Sequence, residues 1–312
     1  MQVTVFTPSF NRSHTLPRVY KSLLAQTNKD FEWIIVDDGS TDNTVDLVNK
    51  WQSENLLDIC FVRQTNKGKF TTLIETIERA KGEWFLIADS DDEFEANTID
   101  VFLNTYSRIP QDVRNQVSGV SCLVKDSSTG RVVGDLYPIP EGEAYLISDV
   151  NEISFKFGIK GEKWGILKTS VLKEFVGNLP DLENSKYIGE NILWIPIASK
   201  YKTVFINVPL RIYFQGTSGT LSSRNIAGRY PLGAWITERT ILPYTSKYFL
   251  KQPIAILKSV IKLNYAAIAA GKSLSKTIKG YKPFLKALVF VTRPLAYLVL
   301  LKFPINDRGL RI

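Results

Sequence analysis

The sequence predicts an α/β protein with a mainly parallel central sheet, followed by a helical C-terminal region. Short apolar runs alternate with amphipathic stripes over the first hundred residues, the pattern of a parallel sheet covered on both faces. Three of the four runs end in unusual polar residues, which would share one rim of that sheet. Beyond about residue 240, lysines interleave with apolar residues and acids almost vanish.

Residues 3–6 form the first apolar run. Leu16, Val19, Leu23 and Leu24 follow at helical spacing, with Ser13 as a candidate N-cap and Pro17 in the tolerated first turn. Residues 33–36 form the second run. Thr41 or Asp42 would cap a helix bearing Val45, Val48 and Trp51. After a third run at 59–62, Leu73, Ile74, Ile77 and Ala80 make a stripe that stops at Gly82, ahead of a fourth run at 84–88. From 110 to 215 the pattern is irregular. Strands are expected around 117–124, 131–137 and 203–208, and helices near 168–176 and 190–201.

The apolar content of 44% and charged content of 22% are those of a folded globular chain and argue against disorder. Cys60 and Cys122 lie in apolar surroundings without zinc or redox spacing, so both read as buried small hydrophobes in a reducing compartment. The N-terminus enters a strand directly, without the basic-then-apolar pattern of a leader.

The net charge of +8 is unevenly spread. Residues 247–312 hold 13 Lys/Arg against Asp307 alone, a net +12, and the rest of the chain carries −4. Such a tail suits an anionic membrane surface or nucleic acid. Its cations alternate with Leu, Ile and Val and few aromatics are placed for base stacking, which argues against nucleic acid. The apolar stretch 287–301 has 15 residues between Lys286 and Lys302. As a helix it would reach about 22 Å, short of a hydrocarbon core of about 30 Å, and Arg293 and Pro294 interrupt it. Helices lying in the membrane interface are the expectation. The alternative is packing on the preceding domain or on a second subunit, as in a homodimer.

The chemistry gathers at the three run ends: TPSFNR (7–12), DDGST (37–41) and DSDD (89–92). Turn formation accounts for any one of them, but not readily for all three on one rim. Crowded carboxylates need compensation. Their hard oxygens suit Mg2+ or Mn2+, which in turn hold phosphates. There is no GKS or GKT phosphate loop and no Gly-rich turn after the first run, which disfavours P-loop enzymes and dinucleotide oxidoreductases.

TPSFNR, IIVDDGSTDNT and KGEWFLIADSDDEF in this order resemble the inverting glycosyltransferases of family 2, strongly over 1–110 and more weakly over 155–215. The resemblance implies a GT-A fold: a catalytic domain at 1–240, with a nucleotide-sugar half at 1–110 and an acceptor half at 111–240, then a basic helical tail at 241–312. It places Asp38 at the uracil edge, with Pro8, Phe10 and Arg12 lining base and ribose. Asp89 and Asp91 become the ends of a DxD motif, Asp91 ahead of Asp89 as direct metal ligand, with Ser90 near the ribose. Lys69 faces the diphosphate, although Lys67 and Phe70 depart from the Gly–Gly–Lys–His run of many relatives.

The catalytic base implied is Glu190, followed by Asn191 where relatives often carry a second acid. Glu162 and Asp181 are alternatives, and Glu190 also suits a helix N-terminus on charge alone. His14 reads as a surface or capping residue. Trp164, Tyr187, Trp194 and Tyr213 suit either a sugar face or the core. The implied function is Mn2+- or Mg2+-dependent transfer from a nucleotide-diphosphate sugar, UDP-linked, to a saccharide or polyprenyl-diphosphate-linked saccharide. The setting would be capsule, exopolysaccharide or lipopolysaccharide synthesis at the cytoplasmic face of the membrane, with the protein peripheral. The competing reading is a non-catalytic sugar-nucleotide-binding scaffold whose base was lost at Asn191.

Overall fold

The computed structural model describes residues 1–162, 164–182, 185, 187–214 and 229–302. The chain divides into two compact units: Met1–Gly177 with Lys200–Gly219, and Asn178–Ser199 with Thr220–Ile312.

The first unit opens with β1 (Val3–Ser9), α1 (Leu16–Leu24), β2 (Phe31–Asp37), α2 (Thr44–Glu54), β3 (Ile59–Arg63), α3 (Lys69–Arg79) and β4 (Trp84–Ile87). Every residue of β2 is buried, as expected of a strand covered on both faces. There follow β5 (Glu93–Phe94), α4 (Thr98–Arg108), β6 (Val117–Asp126), β7 (Leu146–Ser148), β8 (Trp164–Lys168), α5 (Thr169–Val176) and, after the α6 helix, β9 (Lys202–Tyr213). They join one sheet in the order β3-β2-β1-β4-β8-β6-β9-β5, with β7 also on β9.

The first four strands pair in parallel. Beyond β4 the sheet is mixed: β8 runs antiparallel to β4 and β6, while β9 is parallel to β6. Strand–helix alternation, which supplies parallel crossovers, is confined to the first hundred residues. Tyr20 and Trp51 stack at 4.2 Å against the sheet face bearing Trp33. Residues expected as a strand at 131–137 make only isolated bridges, at Val132 and Gly134. Both cysteines are free thiols, but only Cys122 is buried; Cys60 is exposed because β3 is an edge strand.

The second unit contains α6 (Asn191–Lys200, its last residue in the first unit), α7 (Pro231–Thr245), α8 (Pro253–Ala269), α9 (Leu274–Ile278) and α10 (Pro283–Lys302). The boundary expected at residue 240 falls inside α7, and the helices beyond it complete the core of that unit. Buried Glu238 of α7 meets the Lys262 ammonium at 2.7 Å and accepts the Ser259 hydroxyl, both from α8. Fully buried Asn264 of α8 donates to the Val289 carbonyl (2.8 Å) and the Thr292 hydroxyl (3.0 Å) of α10.

Helix α10 is longer than the apolar stretch suggested. It starts at Pro283 and continues through Pro294, and its 20 residues reach about 30 Å. By length and composition Pro283–Leu301 is sufficient to cross a membrane. One stripe, Leu285, Val289, Thr292 and Ala296, is buried, while Phe290, Val291, Leu298 and Leu301 are exposed.

Two glycines allow β8 to approach β6. A Cβ on Gly165 would lie 2.0 Å from the Val120 carbonyl oxygen, and one on Gly119 would lie 2.1 Å from that of Ile166. Gly165→Ala is expected to push the strands apart and cost about 2 kcal/mol or more, by the measure of an overpacked core. Urea denaturation monitored by tryptophan fluorescence will check this; an unchanged midpoint would show that the pairing yields freely.

Candidate donor-binding and catalytic site

The three polar run ends do meet on one rim of the first unit. Parallel pairing sets Pro8 beside Val36 and Ser9 beside Asp37. The Asp38 amide then donates to the Ser9 carbonyl (2.8 Å). Asn11 takes a positive φ of 54°, so its amide reaches the Ser40 hydroxyl (2.8 Å) and its side-chain oxygen accepts from the Thr41 amide (2.8 Å). Ser13 is not the cap of α1, which begins after Thr15; its amide and hydroxyl instead donate to Asp42. Burial raises the Asp42 carboxyl, yet hydrogen bonds from Thr44 and Ser13 outweigh it and hold the group at about 2.

Asp38 is buried and accepts from Gln64 Nε2 (2.9 Å) and from the amides of Lys67 (2.8 Å) and Gly68 (2.8 Å). Gly68 has φ 89° and directly precedes α3, so Asp38 fixes the turn that launches Lys69. Lys69 Nζ reaches Asp89 Oδ1 at 2.8 Å. Phe10 is half exposed at the same rim and Ser90 is buried.

Arg211 of β9 is the residue that sequence reasoning missed. Its side chain is 6% exposed, and its guanidinium lies 3.1 Å from Asp89, 2.5 Å from Asp92 and 3.6 Å from Glu162. The available signal was a lone cation in the strand-like run VPLRIYF. Asp89 and Asp92 are therefore compensated by the chain's own cations. Burial raises the Asp89 carboxyl, but Lys69 and then Arg211, with Arg12 beyond them, hold it down at about 2. Burial pushes Asp92 well above the usual carboxylate range, with Asp89 and Asp91 adding to it and Arg211 opposing. Asp91 is half-buried, and its backbone carbonyl accepts from Arg18 Nη1 (3.2 Å).

Among the described residues, no group of three or more His, Cys, Asp or Glu side chains could hold a metal unaided. A divalent cation here would need phosphate oxygens to complete its shell. That fits magnesium, which binds through one or two carboxylates plus substrate phosphates.

Glu190 belongs to the second unit and immediately precedes α6. Its segment is docked closely on α7: the Gly189 amide donates to Thr237 (2.9 Å), and Gly233 leaves room where a Cβ would lie 1.6 Å from the Tyr187 carbonyl oxygen. Tyr187 stacks on Tyr230 at 4.0 Å. Of the other two acids weighed as base, Glu162 joins the carboxylate cluster through Arg211, whereas Asp181 lines a cleft of the second unit. Trp164 belongs to the core: it is buried, stacks on Phe94 at 5.0 Å and donates to the Ile87 carbonyl. His14 is exposed.

Residues 4–120 match the family model described as glycosyl transferase family 2. Over those residues the chain is similar to this family. It is 27% identical, over 94% of both chains, to the Campylobacter jejuni GalNAc(5)-diNAcBac-PP-undecaprenol beta-1,3-glucosyltransferase. An uncharacterized Nostoc glycosyltransferase is 36% identical over 92 residues, 30% of this chain and 29% of its own length. Among solved structures, Staphylococcus aureus TarS 1-349 in complex with UDP-GlcNAc superposes with a TM-score of 0.60 at 16% identity, covering all of this chain and 96% of TarS 1-349. The Pyrobaculum calidifontis mannosyltransferase PcManGT in complex with GDP-Man and Mn2+ gives 0.52 at 18% identity, covering 95% and 80%. The fold is thus the GT-A fold, and the protein is a glycosyltransferase.

Arg211 is expected to be indispensable to the rim. Arg211→Met would strand buried acid groups, at a cost of about 3–5 kcal/mol. Adding Asp92→Asn should return part of that loss, because it removes the most deeply buried of those acids. Chemical denaturation of both variants will read the difference; equal stability of Arg211→Met and the parent would refute the compensation.

Proposed function

We propose that the enzyme transfers a sugar, with inversion, from a UDP-linked donor to a lipid-linked saccharide at the membrane surface, in cell-surface polysaccharide synthesis. The observation that carries this reading is the rim of the first unit. There Asp38 anchors the turn before α3, and Lys69 and Arg211 bracket Asp89. The lipid-linked acceptor is supported by the undecaprenol-diphosphate substrate in the name of the Campylobacter relative, which aligns over nearly the whole chain. The UDP donor is supported by the TarS complex.

Each residue has a role in this reading. Asp38, Pro8, Phe10 and Arg12 receive the base and ribose, and Ser90 lies beside them. Lys69 meets the donor diphosphate. Asp91 would hold Mn2+ or Mg2+ ahead of Asp89, whose oxygens already face Lys69 and Arg211. When bound, the cation offsets the negative charge of the departing diphosphate. Glu190 accepts the proton of the attacking hydroxyl, a contribution of about 10²–10⁴-fold.

Glu162 is a second reading for the base. It is half exposed and already sits on the guanidinium that holds Asp89 and Asp92. Glu190→Gln should keep donor binding and lose about 10²–10⁴-fold in transfer, with Glu162→Gln far milder; the reverse ranking would hand the role to Glu162. In the same series Asp91→Asn should abolish metal-dependent donor binding, and calorimetric affinities that stay at the parent level with Mn2+ would end the metal assignment.

The peripheral membrane position is supported by the outward face of α10, where Phe290, Val291, Leu295, Leu298 and Leu301 are exposed, within a segment of net charge +12. Deleting that segment would also remove the partners of Glu238, so substitution is the sounder probe. Phe290→Glu/Leu298→Glu should reduce sedimentation with anionic vesicles severalfold while leaving the melting temperature in place. Undiminished vesicle binding would turn the proposal toward a protein partner.

A further inference from the structure

The second unit contains a cleft of about 600 Å³ that the proposed chemistry does not use. Trp235, Ile236 and Arg239 of α7, Lys276 of α9, the following Lys279, and Asp181 line it. Its charge is lopsided. The Arg239 guanidinium lies 5.7 Å from the Trp235 ring centre, the Lys276 ammonium 5.6 Å and the Lys272 ammonium 5.2 Å. Three cations thus gather round one buried indole, with Lys279 beside them and, among the described residues, Asp181 as the one carboxylate in the lining. Cation–π attraction tolerates such crowding, and a ligand of more than one negative charge can meet several of these cations at once.

The arrangement is also built rather than incidental. Arg239 donates from Nε to the Lys276 carbonyl (3.2 Å) and from Nη2 to the Lys279 carbonyl (3.2 Å), while its own carbonyl accepts from Tyr281 (2.8 Å). Trp235 Nε1 donates to Thr277 between the two lysines (3.3 Å). The guanidinium is therefore fixed, and its Nη1 edge donates to no acceptor among the described residues. A rigid guanidinium with ammonium groups around it matches the many acceptor oxygens of linked phosphates.

We propose that this cleft binds a diphosphate, the chemical class that a polyprenyl-diphosphate-linked acceptor would present. The identity of the source rests on the proposed function; the affinity for diphosphate does not. The test is calorimetric titration of the full-length protein, in EDTA, with inorganic pyrophosphate and with farnesyl diphosphate. The exposed pair Lys276→Gln/Lys279→Gln is compared with Lys251→Gln/Lys258→Gln, an equal loss of charge elsewhere in the same unit.

The cleft pair should weaken both ligands at least about tenfold and the control pair no more than about twofold, as expected of charge-assisted contacts at a specific site. Equal weakening by both pairs, absence of pyrophosphate binding at millimolar concentration, or a cleft-pair loss confined to phosphatidylglycerol vesicles would overturn the proposal. Hydrolysis of the UDP-sugar, assayed on the same variants, reports on the donor reading separately, so either can fail without the other.

Discussion

The rim of the first unit depends on one buried cation. Arg211 enters from β9, a strand more than a hundred residues downstream of DSDD, and places its guanidinium against Asp89, Asp92 and Glu162. Without it, Asp92 would be a buried acid beside two other carboxylates, its Arg211 partner lost. With it, Asp89 stays ionised while Asp92 is pushed up toward its protonated form. Asp89 and Asp92, three positions apart, are thereby placed in different states.

That arrangement revises the meaning of the acidic cluster. Crowded aspartates at a strand end suggest a metal, since a divalent ion is the simplest compensation a sequence reader can supply. The fold supplies a second one from Lys69 and Arg211. Asp89 is then better understood as the link between two cations. Lys69 in turn depends on Asp38, whose carboxylate ties down the Lys67 and Gly68 amides just before α3 begins. The buried strand-end acid and the lysine that reaches Asp89 thus share one short turn.

What was legible in the sequence was what is local. The four parallel strands, the helices between them and the shared polar rim follow from apolar periodicity and turn residues within about a hundred positions. Residue 38 could be singled out because it follows a strand directly. Arg211 could not, because its role exists only through pairing of β9 with β6 and β5, and one cation in an apolar run has many innocent explanations. Cys60 was misjudged for a related reason: an apolar neighbourhood in sequence does not reveal that β3 is the sheet edge. The strand expected at 131–137 had suitable residues but meets only isolated bridging partners.

The C-terminal helices show the same limit at larger scale. Their lysine-bordered apolar runs read as a detachable tail, because local composition changes near residue 240. Yet α7 straddles that point, and its buried Glu238 finds both partners on α8. A charge buried on one side of a composition boundary and neutralised from the other makes the two sides one folding unit. Asn264 extends the dependence to α10, where its side-chain amide donates to the Val289 carbonyl and the Thr292 hydroxyl. The same helix can therefore contribute an inward stripe to the core and still present Phe290, Leu298 and Leu301 to the outside. Membrane contact and internal packing, which the sequence poses as alternatives, are compatible because they use different faces of one helix.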